Sequence, residues 1–115
     1  MARRRLLHEF GMGSSLRRQD YTQAARRAVE NALWHNSINL AELFGFAREA
    51  MIIEVEIGVQ KPEEVDVEVV ALAFPYGQVS VVARFGGLDV RRPGSDRPTV
   101  IANAVIAVSF DMEPV

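Results

Sequence analysis

Met51, Ile53, Val55, Ile57 and Val59 alternate with Ile52, Glu54, Glu56 and Gly58. This is the period of a strand with one buried face and one mainly polar face. The same alternation predicts three further strands. Leu6 to Gly11 reads as a first strand running into a tight turn at its glycine. Val79, Val81, Ala83 and Phe85 oppose Gln78, Ser80, Val82 and Arg84 in a third, which Gly86-Gly87 ends or kinks. A long last strand sets Val100, Ala102, Ala104, Ile106, Val108 and Phe110 against Ile101, Asn103, Val105, Ala107 and Ser109.

Between the first two strands the period changes to that of a helix. Asp20 is a good N-cap with Gln23 three residues on, and Ala24, Ala25, Ala28, Val29, Ala32 and Leu33 recur on one side. A stripe so rich in alanine lets the helix lie close on a sheet, with Arg26, Arg27 and Glu30 turned to solvent. His35 to Glu49 reads as a connection containing one short helical turn at Asn39 to Phe44, ended by Gly45. Lys61 to Phe74 carries conflicting signals. Val65, Val67 and Val69 alternate as in a strand, whereas Pro62-Glu63-Glu64 is a helix start and Val65, Val69 and Leu72 share a helical face. Helix is the reading adopted.

The element order is therefore β-α-β-α-β-β. It predicts an α+β two-layer sandwich in which both helices cover one face of a mixed four-stranded sheet. The polar loop Arg91 to Pro98 joins the last two strands as a hairpin. The uncovered face would carry Glu54, Glu56, Ser80, Arg84, Asn103 and Ser109 beside Ile52, Val82, Ile101 and Val105. A face of that mixture is either wet or an interface between copies.

A chain of 115 residues has the length of one domain, taken here as residues 1–115. It is 49% hydrophobic and 24% charged, with 13 basic and 15 acidic residues. That balance gives no reason to expect nucleic acid as a general partner. The absence of cysteine excludes a thiolate nucleophile, a disulfide framework and sulfur-ligated zinc, and fits a reducing compartment. The basic start Ala2-Arg3-Arg4-Arg5-Leu6-Leu7 is broken at once by His8 and Glu9, so no secretory signal is read and a cytoplasmic location is expected. No apolar run approaches the ~20 residues that cross a bilayer.

The most distinctive local feature is Gly11-Met12-Gly13-Ser14-Ser15-Leu16-Arg17-Arg18, placed between a strand and a helix start. Glycines let backbone N–H groups converge, a helix N-terminus favours negative charge, and guanidinium groups donate bidentately to phosphate or carboxylate. Gly11, Gly13, Ser14, Ser15, Arg17 and Arg18 are thus the candidate ligand-binding residues, set against the plainer reading of a sharp turn with solvated arginines. The segment is neither a Walker loop nor a full dinucleotide fingerprint. His8, alternating with Leu6 and Phe10, reads as a packed or interface side chain, and His35 as a residue near a helix end. The two histidines form no metal-ligand spacing, so no metal or cofactor is expected. Glu54 and Glu56 share a strand face, with Arg84 as a partner if the third strand lies beside the second.

Glu9-Phe10-Gly11-Met12-Gly13 and Gln19-Asp20-Tyr21-Thr22-Gln23-Ala24-Ala25 resemble a family of small conserved hypothetical proteins of bacteria and plants marked by Gly-x-Gly-x-Asp-x-His-Gly. The similarity continues through His35-Asn36-Ser37 and Lys61 to Asp66 as far as Pro75-Tyr76-Gly77. This chain departs from the motif at three positions. The acid position is Ser15, the histidine position is Arg17 and the last glycine is Arg18. The departures imply an activity lost or exchanged for anion binding, since neither residue replaces an acid-base pair. The element order also resembles the fold of the AroH-class chorismate mutases, and this topological likeness implies a homo-oligomer, a trimer or a higher multiple, with clefts between subunits. Three functions follow as expectations: a small-ligand or anion-binding homo-oligomer, an enzyme with an inter-subunit site, or a structural protein. The first leads because no nucleophile and base can be paired.

Overall fold

In the computed structural model the described residues are 2–16, 18–34, 51–74 and 77–112. Five strands, β1 (Ala2–Ser15), β2 (Ile52–Val59), β3 (Gln78–Phe85), β4 (Leu88–Val90) and β5 (Thr99–Met112), form one sheet in the order β1-β5-β2-β3, with β4 on β5. Strands β2 and β3 run parallel; the other pairs are antiparallel. Helix α1 (Tyr21–Trp34), a 3₁₀ turn (Pro62–Glu64) and the short helix α2 (Val67–Ala71) complete the described elements. The architecture is the α+β sandwich with a mixed sheet that the alternation predicts.

The core lies between α1, α2 and one face of the sheet. Met51, Ile53, Val55, Ile57 and Val59 from β2 and its approach, and Val100, Ala102, Ala104, Ile106 and Val108 from β5, are all buried. Removing each large aliphatic side chain from water stabilises the fold by about 1.5–3 kcal/mol. Helix α1 meets them with Ala24, Ala25, Ala28, Val29 and Ala32 while Arg26, Arg27 and Glu30 stay exposed. Asp20 caps α1 as expected, its Oδ1 accepting from the Gln23 N–H at 2.9 Å.

Several expectations change. The first strand does not stop at Gly11; it continues to Ser15, so both glycines lie inside it. The segment after Lys61 is helical but interrupted: the 3₁₀ turn ends at Glu64, and Asp66 caps a separate helix by accepting from the Val69 N–H at 3.3 Å. Val70 and not Leu72 faces the core, because the break at Val65 shifts the phase; Leu72 is exposed. The sheet has five strands, since Leu88–Val90 pairs with the start of β5. The Arg91 to Pro98 hairpin accordingly joins β4 to β5, and the neighbour of β3 is β2. Ser109, expected on an open face, is buried. The helical turn read at Asn39 to Phe44 lies outside the described residues, as do His35, Pro75 and Tyr76.

The fifth strand depends on a crossing. Strand β2 covers residues 103–109 of β5 and β4 covers 99–101, so the chain leaving β3 must pass the end of β2 to reach β5. Gly86 and Gly87 make that passage against Gly58. Gly87 has a φ of 61° and a backbone so close to the Ile101 carbonyl that no side chain fits. The Gln60 amide donates to the carbonyls of Gly86 and Gly87 at 3.0 and 3.2 Å and fastens the crossing.

Candidate functional site

Strand alternation puts Gly11 and Gly13 on the same face, and that face meets α1. A β-carbon on Gly11 would fall against the Ala28 carbonyl and 2.5 Å from the Ala32 nitrogen. On Gly13 it would fall against the Ala28 nitrogen and 2.5 Å from the Ala24 carbonyl oxygen. These glycines are opposite Ala104 and Ala102 in the β1–β5 ladder. They form no turn; their evident work is to let helix and strand touch. The period-two spacing of Gly-x-Gly carried this signal, since residues two apart in a strand share a face.

The chemistry begins two residues later. Ser15 is buried, and its Oγ accepts from the Asp20 N–H at 3.2 Å, fixing the bend that enters α1. The Ser14 carbonyl accepts from a guanidinium nitrogen of Arg27 at 2.7 Å. Arg18 is exposed nearby, and Arg17 lies outside the described residues. Ser15, Leu16, Arg18, Gln23 and Arg27 line an open depression of ≈ 450 Å³. Because Asp20 already occupies one N–H at the helix start, any anion there would be held chiefly by Arg18 and by the donors Arg27 has left after Ser14.

A second basic group, which sequence reasoning did not join to the first, stands at the same end of the sheet. Ser15 is opposite Val100 on β5, and Val90 is opposite Thr99, so the β4–β5 loop leaves the sheet where β1 ends. Arg91, Arg92, Pro93, Gly94, Ser95 and Asp96 line a depression of ≈ 570 Å³ in that loop. The Ser95 hydroxyl accepts from Arg92 and from the Arg97 N–H and donates to the Arg97 carbonyl. Arg92 Nε is buried without a hydrogen-bond partner. The two groups are tied together by Tyr21, buried at the start of α1, whose hydroxyl donates to Asp89 of β4 at 2.5 Å. Burial first, and then the Asp89 carboxylate, hold the Tyr21 hydroxyl above its ordinary pKa.

Elsewhere, β3 does lie beside β2, and Arg84 sits 3.4 Å from Glu56 as the sequence suggested. His8 is exposed with its ring edge-on to Phe10, the centroids 6.3 Å apart. Among the described residues no three His, Cys, Asp or Glu side chains gather as metal ligands, and no helix is long and apolar enough to cross a membrane.

The profile of a conserved hypothetical protein family, Lin0512, matches residues 5–108. The chain belongs to the Lin0512 family. A solved structure from Nostoc punctiforme PCC 73102, described as an FtsZ-like protein of unknown function, is similar to this Lin0512 chain at 35% identity over 97% of it and 99% of the Nostoc chain, with a TM-score of 0.85. No curated protein matches. Family and solved relative are thus both described without a function. Within the family motif, the structure places the acid position, here Ser15, in a buried site against the start of α1, and the final glycine position, here Arg18, in the open.

Proposed function

We propose that this Lin0512 protein is a small-anion-binding module that works as a homo-oligomer, and that the anion docks at the basic end of the sheet. The supporting observation is that Arg18 and Arg27 line one depression and Arg91 and Arg92 a second at the same end of the sheet, with Arg97 in the loop of the second, on two segments linked by Tyr21 and Asp89. The acids at this end are largely committed: Asp20 caps α1, Asp89 accepts from Tyr21 and Glu64 lies 3.8 Å from Lys61, which leaves Asp96 at the loop. A cluster of guanidinium groups in open depressions suits phosphate or carboxylate recognition by forked, charge-assisted hydrogen bonds. Ser14 and Ser15 shape the depression, and Gly11 and Gly13 allow α1 to present Arg27 close to the end of β1.

Isothermal titration with inorganic phosphate and pyrophosphate tests the reading at low salt and again at 0.5 M NaCl. Binding that weakens with salt and is reduced at least tenfold in an Arg18→Ala/Arg27→Ala variant is expected. No heat at millimolar pyrophosphate, or equal binding by the variant, overturns it.

A further inference from the structure

The face of the sheet opposite the helices presents an apolar strip that exposed Asn103 and Glu56 interrupt. Phe10 and Met12 of β1 are 66% and 60% exposed, and Leu88 of β4 and Val82 of β3 are 55% and 45% exposed. Register joins them: Phe10 is opposite Val105, Val105 is opposite Glu56, Glu56 is beside Val82, and Leu88 is opposite Ile101. With Val90, their exposed area is on the order of 500 Å², within the range of the largest patch on an ordinary monomer and below the ~800 Å² each partner gives to a standard interface. Partly exposed Ile52, Ile101 and Val105 extend it.

Beside the strip is a cup of ≈ 220 Å³ at the glycine crossing, where Gly58, Gly86 and Gly87 leave the backbone bare and Glu56, Arg84, Asn103 and Val105 are among the surrounding residues. An apolar cavity of ~150 Å³ suffices for a benzene ring. Arg84 and Glu56 already neutralise one another, so covering this rim strands no lone charge.

We infer that two copies of this chain pair through these open faces, with Phe10 of each copy seated in the glycine cup of the other. The inference rests on the homo-oligomer part of the proposed function and names its surface. The geometry is self-complementary. Phe10 and the cup edge at Glu56 stand two strand spacings apart, about 10 Å, with Val105 between them. A twofold axis over Val105 and Asn103 therefore carries each phenyl ring onto its partner's cup in both directions at once, as an isologous interface requires. An aromatic anchor seated in a pocket is the residue type that concentrates binding energy.

The chain has no cysteine, so an Asn103→Cys variant of the full chain, which keeps Phe10 and Glu56 and sets one thiol per copy beside the axis, provides the test. Sheets packed face to face lie ~10 Å apart, beyond the ~7 Å Cα limit for a disulfide, so a bismaleimide of about that span is the cross-linker. It should give a covalent two-chain species on a denaturing gel, and sedimentation velocity of the unaltered protein at micromolar concentration should give twice the chain mass. Phe10→Asp should weaken the pairing at least ~30-fold while leaving the far-ultraviolet circular dichroism unchanged. A two-chain mass without cross-linking, or with Phe10→Asp still paired, overturns the inference and leaves the homo-oligomer intact. A three-chain mass does the same. A monomer, or occupation of the face only by an added apolar peptide or detergent, overturns both the inference and the homo-oligomer. Phosphate binding is read separately and is unaffected by any of these outcomes.

Discussion

Tyr21, the first residue of α1, donates its hydroxyl hydrogen to Asp89 in the middle of β4 at 2.5 Å, joining positions 68 residues apart. Gln19 donates to the same hydroxyl at 3.3 Å. The other Asp89 oxygen is buried with no partner. This contact holds the helix start against the three-residue strand from which the basic loop departs, so both halves of the candidate anion site depend on it.

Tyr21→Phe should therefore cost about 1.5–3 kcal/mol at neutral pH, because it leaves both oxygens of a partly buried carboxylate without a donor. Urea denaturation measures it. Loss of under about 0.5 kcal/mol would mean that water replaces the hydroxyl readily.

The same residue sets an alkaline limit. A tyrosine held above its usual value of 10.0 keeps its proton in the folded chain after the unfolded chain has released it. Above the unfolded pKa the folded state binds more protons, so stability falls as pH rises; below it the contribution is fully present. Thermal melts from pH 8 to pH 11 should show a decline beginning near pH 10 that is shallower in Tyr21→Phe.

Gly13→Ala is expected to destabilise by about 3 kcal/mol or more, and Gly11→Ala similarly, because the added methyl meets backbone atoms of α1 that no rotamer change can move. Denaturant midpoints of the two single variants check this. A loss below about 1 kcal/mol would show that α1 can ride away from β1.

These glycines mark what was readable from sequence and what was not. The strand periods, the Asp20 cap and the alanine stripe are local signals, and the elements they specify form as expected. Gly-x-Gly looked like a turn because glycine is the residue of tight turns and of close packing alike; only the helix opposite Gly11 and Gly13 decides between them. Strand β4 is not legible in the sequence because three residues cannot establish a period, and its pairing rests on a segment of β5 beyond the intervening loop. The placing of Arg18 and Arg27 at the same end of the sheet as Arg91, Arg92 and Arg97 is likewise long-range, set by the register of Ser15 with Val100.

The crossing at Gly58, Gly86 and Gly87 separates two costs that glycine can hide. A β-carbon on Gly58 would meet its nearest neighbour, the Gly87 nitrogen, at 3.4 Å, an ordinary contact. At Gly87 it would strike the Ile101 carbonyl oxygen and stand 2.7 Å from that of Gly58, on a backbone whose φ of 61° already disfavours a side chain. Gly58→Ala should thus cost less than about 1 kcal/mol, while Gly87→Ala should exceed about 3 kcal/mol, combining strain with a clash that displaces β4 from β5. Hydrogen exchange gives the sharper reading, since loss of β4 pairing in Gly87→Ala should expose those amides of residues 88–90 and 99–101 that bond between β4 and β5, while the amides bonded to β1, those of β2 and those of the middle of β5 stay protected. Equal losses in the two variants would show that crowding over β2, and not the backbone turn at Gly87, limits the crossing.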